Sequence, residues 1–190
     1  MKKVILASAS PRRAELLNYL LAEYSIQPSD IDETPLANET PESLVARLAQ
    51  GKAQHIYQTR PTSVVLGSDT IIGFQQQILG KPTDKNHFIG MMQALSNNVH
   101  QVYTGISVVS NLGCFTKVVI TQVKFAELSD ADINQYWATG EPADKAGGYA
   151  IQGYGGQFVK SIEGSVSAVI GLPLVETKEL LKQAGVLSDC

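Results

Sequence analysis

Ser63-Val64-Val65-Leu66-Gly67-Ser68-Asp69-Thr70-Ile71-Ile72 is the stretch on which the fold turns. Val64, Val65 and Leu66 form a short unbroken apolar run, the pattern of a strand buried on both faces. Ser68-Asp69-Thr70 interrupts it, which puts Asp69 at the end of that strand, before the second apolar pair Ile71-Ile72. Upstream, Thr40 and Pro41 suit the N-cap and first position of a helix whose buried stripe is Val45, Leu48, Ala49 and Ile56. Further upstream, Lys3-Val4-Ile5-Leu6-Ala7 reads as a second buried strand. Ser8-Ala9-Ser10 then turns the chain into a helix with Ser10 as N-cap, Pro11 at the first position and a stripe of Leu16, Leu17, Leu20 and Leu21. Tyr24-Ser25-Ile26 is a weaker strand, and residues 30–40 form a polar, acidic loop.

Downstream, Gly80-Lys81-Pro82 marks a turn and residues 84–95 a helix. Residues 100–109 and 117–125 are two long strands around a turn at 111–113. Ser129 and Asp132 make an approximate capping box for a helix that turns Ile133, Tyr136 and Trp137 inward. Residues 147–156 are rich in glycine and irregular, residues 157–162 form a short strand, and Pro173 opens a last helix ended by Gly185. Strands and helices in this mixed order specify an α/β protein.

The chain has 190 residues, 44% of them hydrophobic and 17% charged, which suits a single domain over residues 1–190. A chain of this size buries roughly 70% of its unfolded surface and needs no disulfide or structural metal to fold. Its 15 Lys and Arg against 18 Asp and Glu give a net charge of −3. It has neither the basic domain nor the basic stripe of a nucleic-acid binder. No apolar run approaches the length that spans a bilayer, and the N-terminus lacks a signal-peptide pattern. Cys114 and Cys190 make no disulfide framework and read as free thiols. These features predict a soluble, cytoplasmic protein with neither membrane nor nucleic acid as partner.

Familiar catalytic signatures are absent. Gly80-Lys81 is followed by Pro82 and lacks the first glycine of a phosphate-binding P-loop, no Gly-x-Ser-x-Gly elbow occurs, and His55, His87 and His100 have no zinc-like spacing. Other groupings carry more. Arg12 and Arg13 in the first turn of a helix oppose its dipole, so they are unexpected for stability. With the hydroxyls of Ser8 and Ser10 they make a candidate anion site, the plainer reading being two exposed arginines. Asp69 at a strand end can hold a hard cation or activate water, or simply end the strand in an Asx turn. Glu33 is a candidate second carboxylate in the acidic loop. Lys52 falls in step with Val45, Leu48 and Ile56, so it either points into a cleft or snorkels. Lys81, held in its turn, can meet a polyphosphate or water. Gly147-Gly148-Tyr149-Ala150-Ile151-Gln152-Gly153 allows close backbone approach to a ligand, and Gln152 offers a donor and an acceptor to a base edge. A nucleotide or phosphorylated metabolite is as far as the residues alone lead.

Together these residues resemble the Maf family of nucleoside triphosphate pyrophosphatases. The resemblance runs through Leu6-Ala7-Ser8-Ala9-Ser10-Pro11-Arg12-Arg13, Arg47-Leu48-Ala49-Gln50-Gly51-Lys52-Ala53, Gly67-Ser68-Asp69-Thr70, Gly80-Lys81-Pro82, residues 144–153 and Gly171-Leu172-Pro173, in that order. It implies an elongated mixed β-sheet with flanking helices, two lobes around a cleft, similar to the inosine triphosphatase fold. It implies hydrolysis between the α and β phosphates with a divalent metal, Mg²⁺ or Mn²⁺, in cytoplasmic proteins of which many are homodimers. The Tyr149-Ala150-Ile151-Gln152-Gly153 stretch looks like the branch acting on dTTP and UTP, with Gly148 and Ala150 departing from the commonest Ala and Gly there. Carried onto this chain, the resemblance makes Asp69, Lys52 and Lys81 catalytic, Glu33 and Asp69 metal ligands, and Ser8, Ser10, Arg12, Arg13, Thr70 and Gln152 substrate contacts. Arg12, Thr70 and Gln152 fall at base-selecting positions. The alternative it carries is a non-catalytic nucleotide-binding regulator of cell division; the full set of Asp69, Lys52 and Lys81 favours the enzyme.

Overall fold

A computed structural model describes residues 2–75 and 77–188, so Cys190 lies outside the described residues. The apolar runs become strands β1 (Val4–Leu6) and β3 (Val64–Phe74), paired in parallel with Val4 opposite Val64 and Leu6 opposite Leu66. The weak candidate forms β2 (Ser25–Ile26), parallel to β1 on its other side. β4 (Gln77–Leu79) folds back antiparallel on β3. β5 (Val99–Ser110) and β6 (Gly113–Phe125) are long sheet neighbours; their two-residue connection admits only antiparallel pairing. β7 (Val159–Glu163) completes a mixed seven-stranded sheet of order β2-β1-β3-β5-β6-β7, with β4 on β3. Helices α1 (Pro11–Leu17), α2 (Pro41–Thr59), α3 (Lys85–Leu95), α4 (Asp130–Ala138), α5 (Val166–Ile170) and α6 (Leu174–Gln183) make the protein mixed α/β.

Two sequence expectations are corrected. β3 does not end before Asp69; it runs on to Phe74, so Asp69 lies inside an 11-residue strand. Ser68 explains the continuation: its buried hydroxyl donates to the Gly105 carbonyl at 2.9 Å and lies 3.0 Å from that of Gly171. A polar residue that would favour a turn is thereby satisfied in an extended chain. Ser10 occupies the N-cap of α1, but its side chain makes no capping bond. Its N–H instead donates to Ser8 Oγ at 3.2 Å. Thr40 and Ser129 do cap: Thr40 Oγ1 accepts from the Ser43 N–H, and Ser129 and Asp132 form a complete capping box. Each such cap contributes about 1 kcal/mol.

The chain divides into two compact units, and β3, β5 and β6 supply residues to both. The first takes residues up to Asp69, with 104–119 and the segment from Gly171. In it, Ile5, Ala7, Val65 and Val109 pack with Ala53 and Ile56 of α2. The approach of α2 is unusually close. A Cβ on Gly67 would lie 2.2 Å from the Ala49 carbonyl oxygen, and one on Gly105 would lie 2.2 Å from that of Val45. Only glycine lets the strands meet the helix main chain at these two points.

The second unit comprises residues 70–103 and 120–170. Its core is aromatic: Phe88, Phe125, Tyr136, Tyr149 and Phe158 pack with Ile72, Met92, Leu95 and Ile133. Of the three histidines, His55 and His87 are exposed and His100 is buried, its Nε2 2.7 Å from the Tyr149 hydroxyl. Burial pulls the His100 imidazole down to about 4, so it is neutral at pH 7 and structural.

Candidate active site

In the first unit, strand period two sets Val65, Gly67 and Asp69 on one face of β3, the face on which α2 rests at Gly67. Lys52 stands on the inner stripe of α2, so the two side chains meet. Lys52 Nζ lies 2.7 Å from Asp69 Oδ1 and 2.7 Å from Glu33 Oε1. Lys52 and Asp69 are enclosed, with side chains 9% and 10% exposed, while Glu33 at 57% is open to solvent. Lys52 therefore neither snorkels nor stands alone: its ammonium joins a buried acid to a solvent-facing one. Asp69 Oδ2 and Glu33 Oε2 make no hydrogen bond among the described residues.

Sequence reasoning missed what holds Glu33 there. Arg47, one helical turn or so before Lys52, grips Glu39 with two bonds, Nε to Oε1 at 2.7 Å and Nη2 to Oε2 at 2.8 Å. Arg47 Nη2 also donates to the Thr34 carbonyl, and the Leu36 N–H donates to Glu39 Oε2. The Arg47 bond, with help from Leu36, holds the Glu39 carboxyl down at about 2. The acidic loop is thus clipped to α2. The signal available in sequence was Glu39 two residues before a helix carrying Arg47 on its second turn, a pairing invisible without the loop's path.

Ser8 and Arg13 meet as well: Ser8 Oγ accepts from Arg13 Nη1 at 3.1 Å, and Arg13 Nε donates to the Gly171 carbonyl at 2.9 Å. Gly171 sits at φ +129°, a conformation that favours glycine. Its carbonyl therefore ties Arg13 and Ser68 to the turn before α6. Burial pushes the Arg13 guanidinium pKa down, and Asp69 opposes that as the nearest acid in effect, ahead of Glu33. Arg12 is partly exposed and makes no hydrogen bond or ion pair among the described residues.

Thr70, Lys81 and Gln152 belong to the second unit. Lys81 is exposed in the irregular connection between β4 and α3, which is not the turn expected at residues 80–82, and the Gly80 carbonyl beside it accepts from the Gly147 N–H at 2.9 Å. The lysine connection and the glycine-rich segment, two separate sequence signals, are therefore joined. Gly147 at φ +67° would drive a Cβ to within 2.2 Å of Ile72 Cδ1, so this junction also requires glycine. Gln152 is exposed and its amide has no hydrogen-bond partner among the described residues. No three His, Cys, Asp or Glu side chains gather among the described residues, and no described helix is long and apolar enough to cross a membrane.

The family model of Maf-like proteins matches residues 3–184, nearly the whole chain. The chain belongs to the Maf family. Among its relatives, a dTTP/UTP pyrophosphatase of Colwellia psychrerythraea is 52% identical over 189 residues, 97% of this chain and 89% of that one. Those of Idiomarina loihiensis and Pseudoalteromonas atlantica are 50% and 47% identical, over 95% and 98% of this chain and 94% and 100% of theirs. As a Maf protein, the chain encloses a charged pair at Lys52 and Asp69. Well-packed apolar side chains in place of a buried ion pair are often as stable or more so.

Proposed function

We propose that this Maf protein is a nucleoside triphosphate pyrophosphatase that hydrolyses dTTP and UTP to the monophosphate and pyrophosphate. The observation that carries the reading is the Glu33–Lys52–Asp69 array, in a chain about half identical to proteins of that name. Asp69 accepts the proton of the attacking water, a role suited to an enclosed carboxylate with one oxygen on Lys52 and the other available. Lys52 steadies the acid and, with Arg13 and Lys81, meets the negative charge of the phosphates. Ser8 orients Arg13. Ser10 adds a hydroxyl, and Arg12, Thr70 and Gln152 bear on the base. A hard divalent cation suits the carboxylate donors of Asp69 and Glu33, each of which keeps a second oxygen beyond its bond to Lys52. Asp69 and Glu33 would hold such an ion through carboxylate oxygens. When bound, Mg²⁺ or Mn²⁺ supplies further neutralisation of the phosphate charge. Cytoplasmic residence and a homodimer belong to the same proposal.

The test is product analysis. Incubation with dTTP and Mg²⁺ is expected to release dTMP and pyrophosphate in equal amounts. Orthophosphate without pyrophosphate would falsify the assignment.

A division of labour follows in the second unit. Lys81→Ala is expected to lower kcat/KM for dTTP, UTP, CTP and GTP by a common factor, since a lysine reads charge. Gln152→Glu is expected to change their ratios instead. Gln152 is exposed in the free chain; where a bound base covers its amide, an unpaired edge costs about 1–3 kcal/mol, so the dTTP preference shifts by up to roughly 150-fold. Equal losses for Gln152→Glu, with altered preference for Lys81→Ala, would reverse the assignment.

A further inference from the structure

Gln152 sits on an irregular segment, and a side chain that selects a base must be held to within a fraction of an ångström. The structure shows one device that holds the main chain on either side of it. Glu141, in the short 3-10 turn Glu141–Asp144, sends its carboxylate under the segment. Its Oε2 accepts from the Tyr154 N–H at 2.9 Å, and its Oε1 accepts from the Gly155 N–H at 3.0 Å and the Tyr136 hydroxyl at 2.6 Å. The Tyr136 oxygen in turn accepts from the Ala150 N–H at 3.2 Å. One carboxylate and one phenol therefore hold main-chain groups on both sides of Gln152. Tyr136 is itself fixed in the aromatic core, its ring 5.1 Å from that of Phe158 and 5.9 Å from that of Phe88.

The glycines of the segment fit this anchor. A Cβ on Gly153 would fall 2.0 Å from Glu141 Oε2, and one on Gly155 would fall 2.6 Å from the Tyr136 hydroxyl. The carboxylate stays charged: burial pushes its pKa up, but the Tyr136, Gly155 and Tyr154 bonds and the Lys145 charge outweigh that and hold it below the usual range. A charged acceptor makes stronger bonds to backbone N–H than a neutral one.

We propose that Glu141 and Tyr136 are positioning residues for nucleotide selection, which set the place of Gln152 by clamping residues 150–155. The inference rests on the role of Gln152 in base recognition proposed above. Neither residue belongs to the unit that carries Asp69 and Lys52.

The test uses the full chain with Mg²⁺ and steady-state kinetics on dTTP, UTP, CTP and GTP. Glu141→Ala, Glu141→Gln and Tyr136→Phe are compared with the parent, and amide exchange is followed at Tyr154 and Gly155. Glu141→Ala is expected to raise KM for dTTP and cut the dTTP-to-CTP ratio of kcat/KM about tenfold, with kcat much less affected. Glu141→Gln keeps an acceptor for one side of the clamp and is expected to fall between Ala and the parent. Tyr136→Phe should loosen selection while leaving the Tyr154 amide protected. Faster exchange with unchanged nucleotide ratios overturns the proposal, as does an equal fall for all four nucleotides. Should Glu141→Ala not fold, the other two variants decide by the same criteria. A parent that releases no pyrophosphate from dTTP sinks the enzymatic reading and this inference with it. A selective parent with equally selective variants sinks the inference alone.

Discussion

Asp69→Asn lowers kcat for dTTP by about 10²–10⁴, the usual cost of losing a general base, with any loss of metal affinity added to that. The substitution is chosen because it changes chemistry and little else. The Asn carbonyl oxygen can still accept from Lys52 Nζ in the place of Oδ1, where the bond is 2.7 Å long. The remaining oxygen becomes an amide that neither takes a proton nor holds a cation. The melting temperature should stay within a few degrees of the parent, so inactivity cannot be laid to unfolding. A folded Asp69→Asn that turns over dTTP within a few-fold of the parent removes Asp69 from the mechanism.

Lys52→Met gives the other large effect, and it acts on stability as well as rate. The apolar stem keeps its place beside Val45, Leu48 and Ile56, but Asp69 is left enclosed without its cation. Stranding one partner of a buried pair costs about 3–5 kcal/mol. For a chain of this size that is a fall in Tm of about 10 °C. Activity should drop by at least the factor seen for Asp69→Asn, since the acid loses its orientation and the phosphates lose a cation. The double variant Lys52→Met with Asp69→Asn separates the two effects. It should recover most of the lost stability and none of the activity. If Lys52→Met alone melts with the parent, the pair is not enclosed as described.

The legible part of the molecule was the part written in local chemistry. Thr40 with Pro41, and Ser129 with Asp132, announce helix starts because the capping partners lie three residues away. Lys52 was legible as an anomaly, a charge in step with an apolar stripe, though neither of its partners was. Glu33 lies on a loop whose course depends on Arg47 and Glu39, and nothing periodic records that course. β3 was cut short in the sequence reading at Ser68 because the two carbonyls that satisfy its hydroxyl come from residues 105 and 171. Helix α5 went unread for a similar reason. It has five residues and begins where the Ser165 N–H bonds Thr121 Oγ1 and Ser165 Oγ accepts from the Ala168 N–H. Glu141 gave no hint at all: it reads as one more acid in a turn until Tyr136 and the N–H groups of Tyr154 and Gly155 close on it.

At Gly67 and Gly105 the strands approach the main chain of α2 directly, and this makes the helix backbone a gauge for the reach of Lys52. Peptide dimensions are the same in every sequence, whereas side-chain volumes drift. Aliphatic residues around Val65 and Ile56 can therefore exchange over evolutionary time, moving the melting temperature up and down, without resetting the distance between ammonium and carboxylate. A methyl group at either glycine resets it in a single step. The chain is in this sense tolerant where it is thick and brittle where it is thin, and a library built for hardier variants would do well to randomise the aliphatics and spare the two glycines.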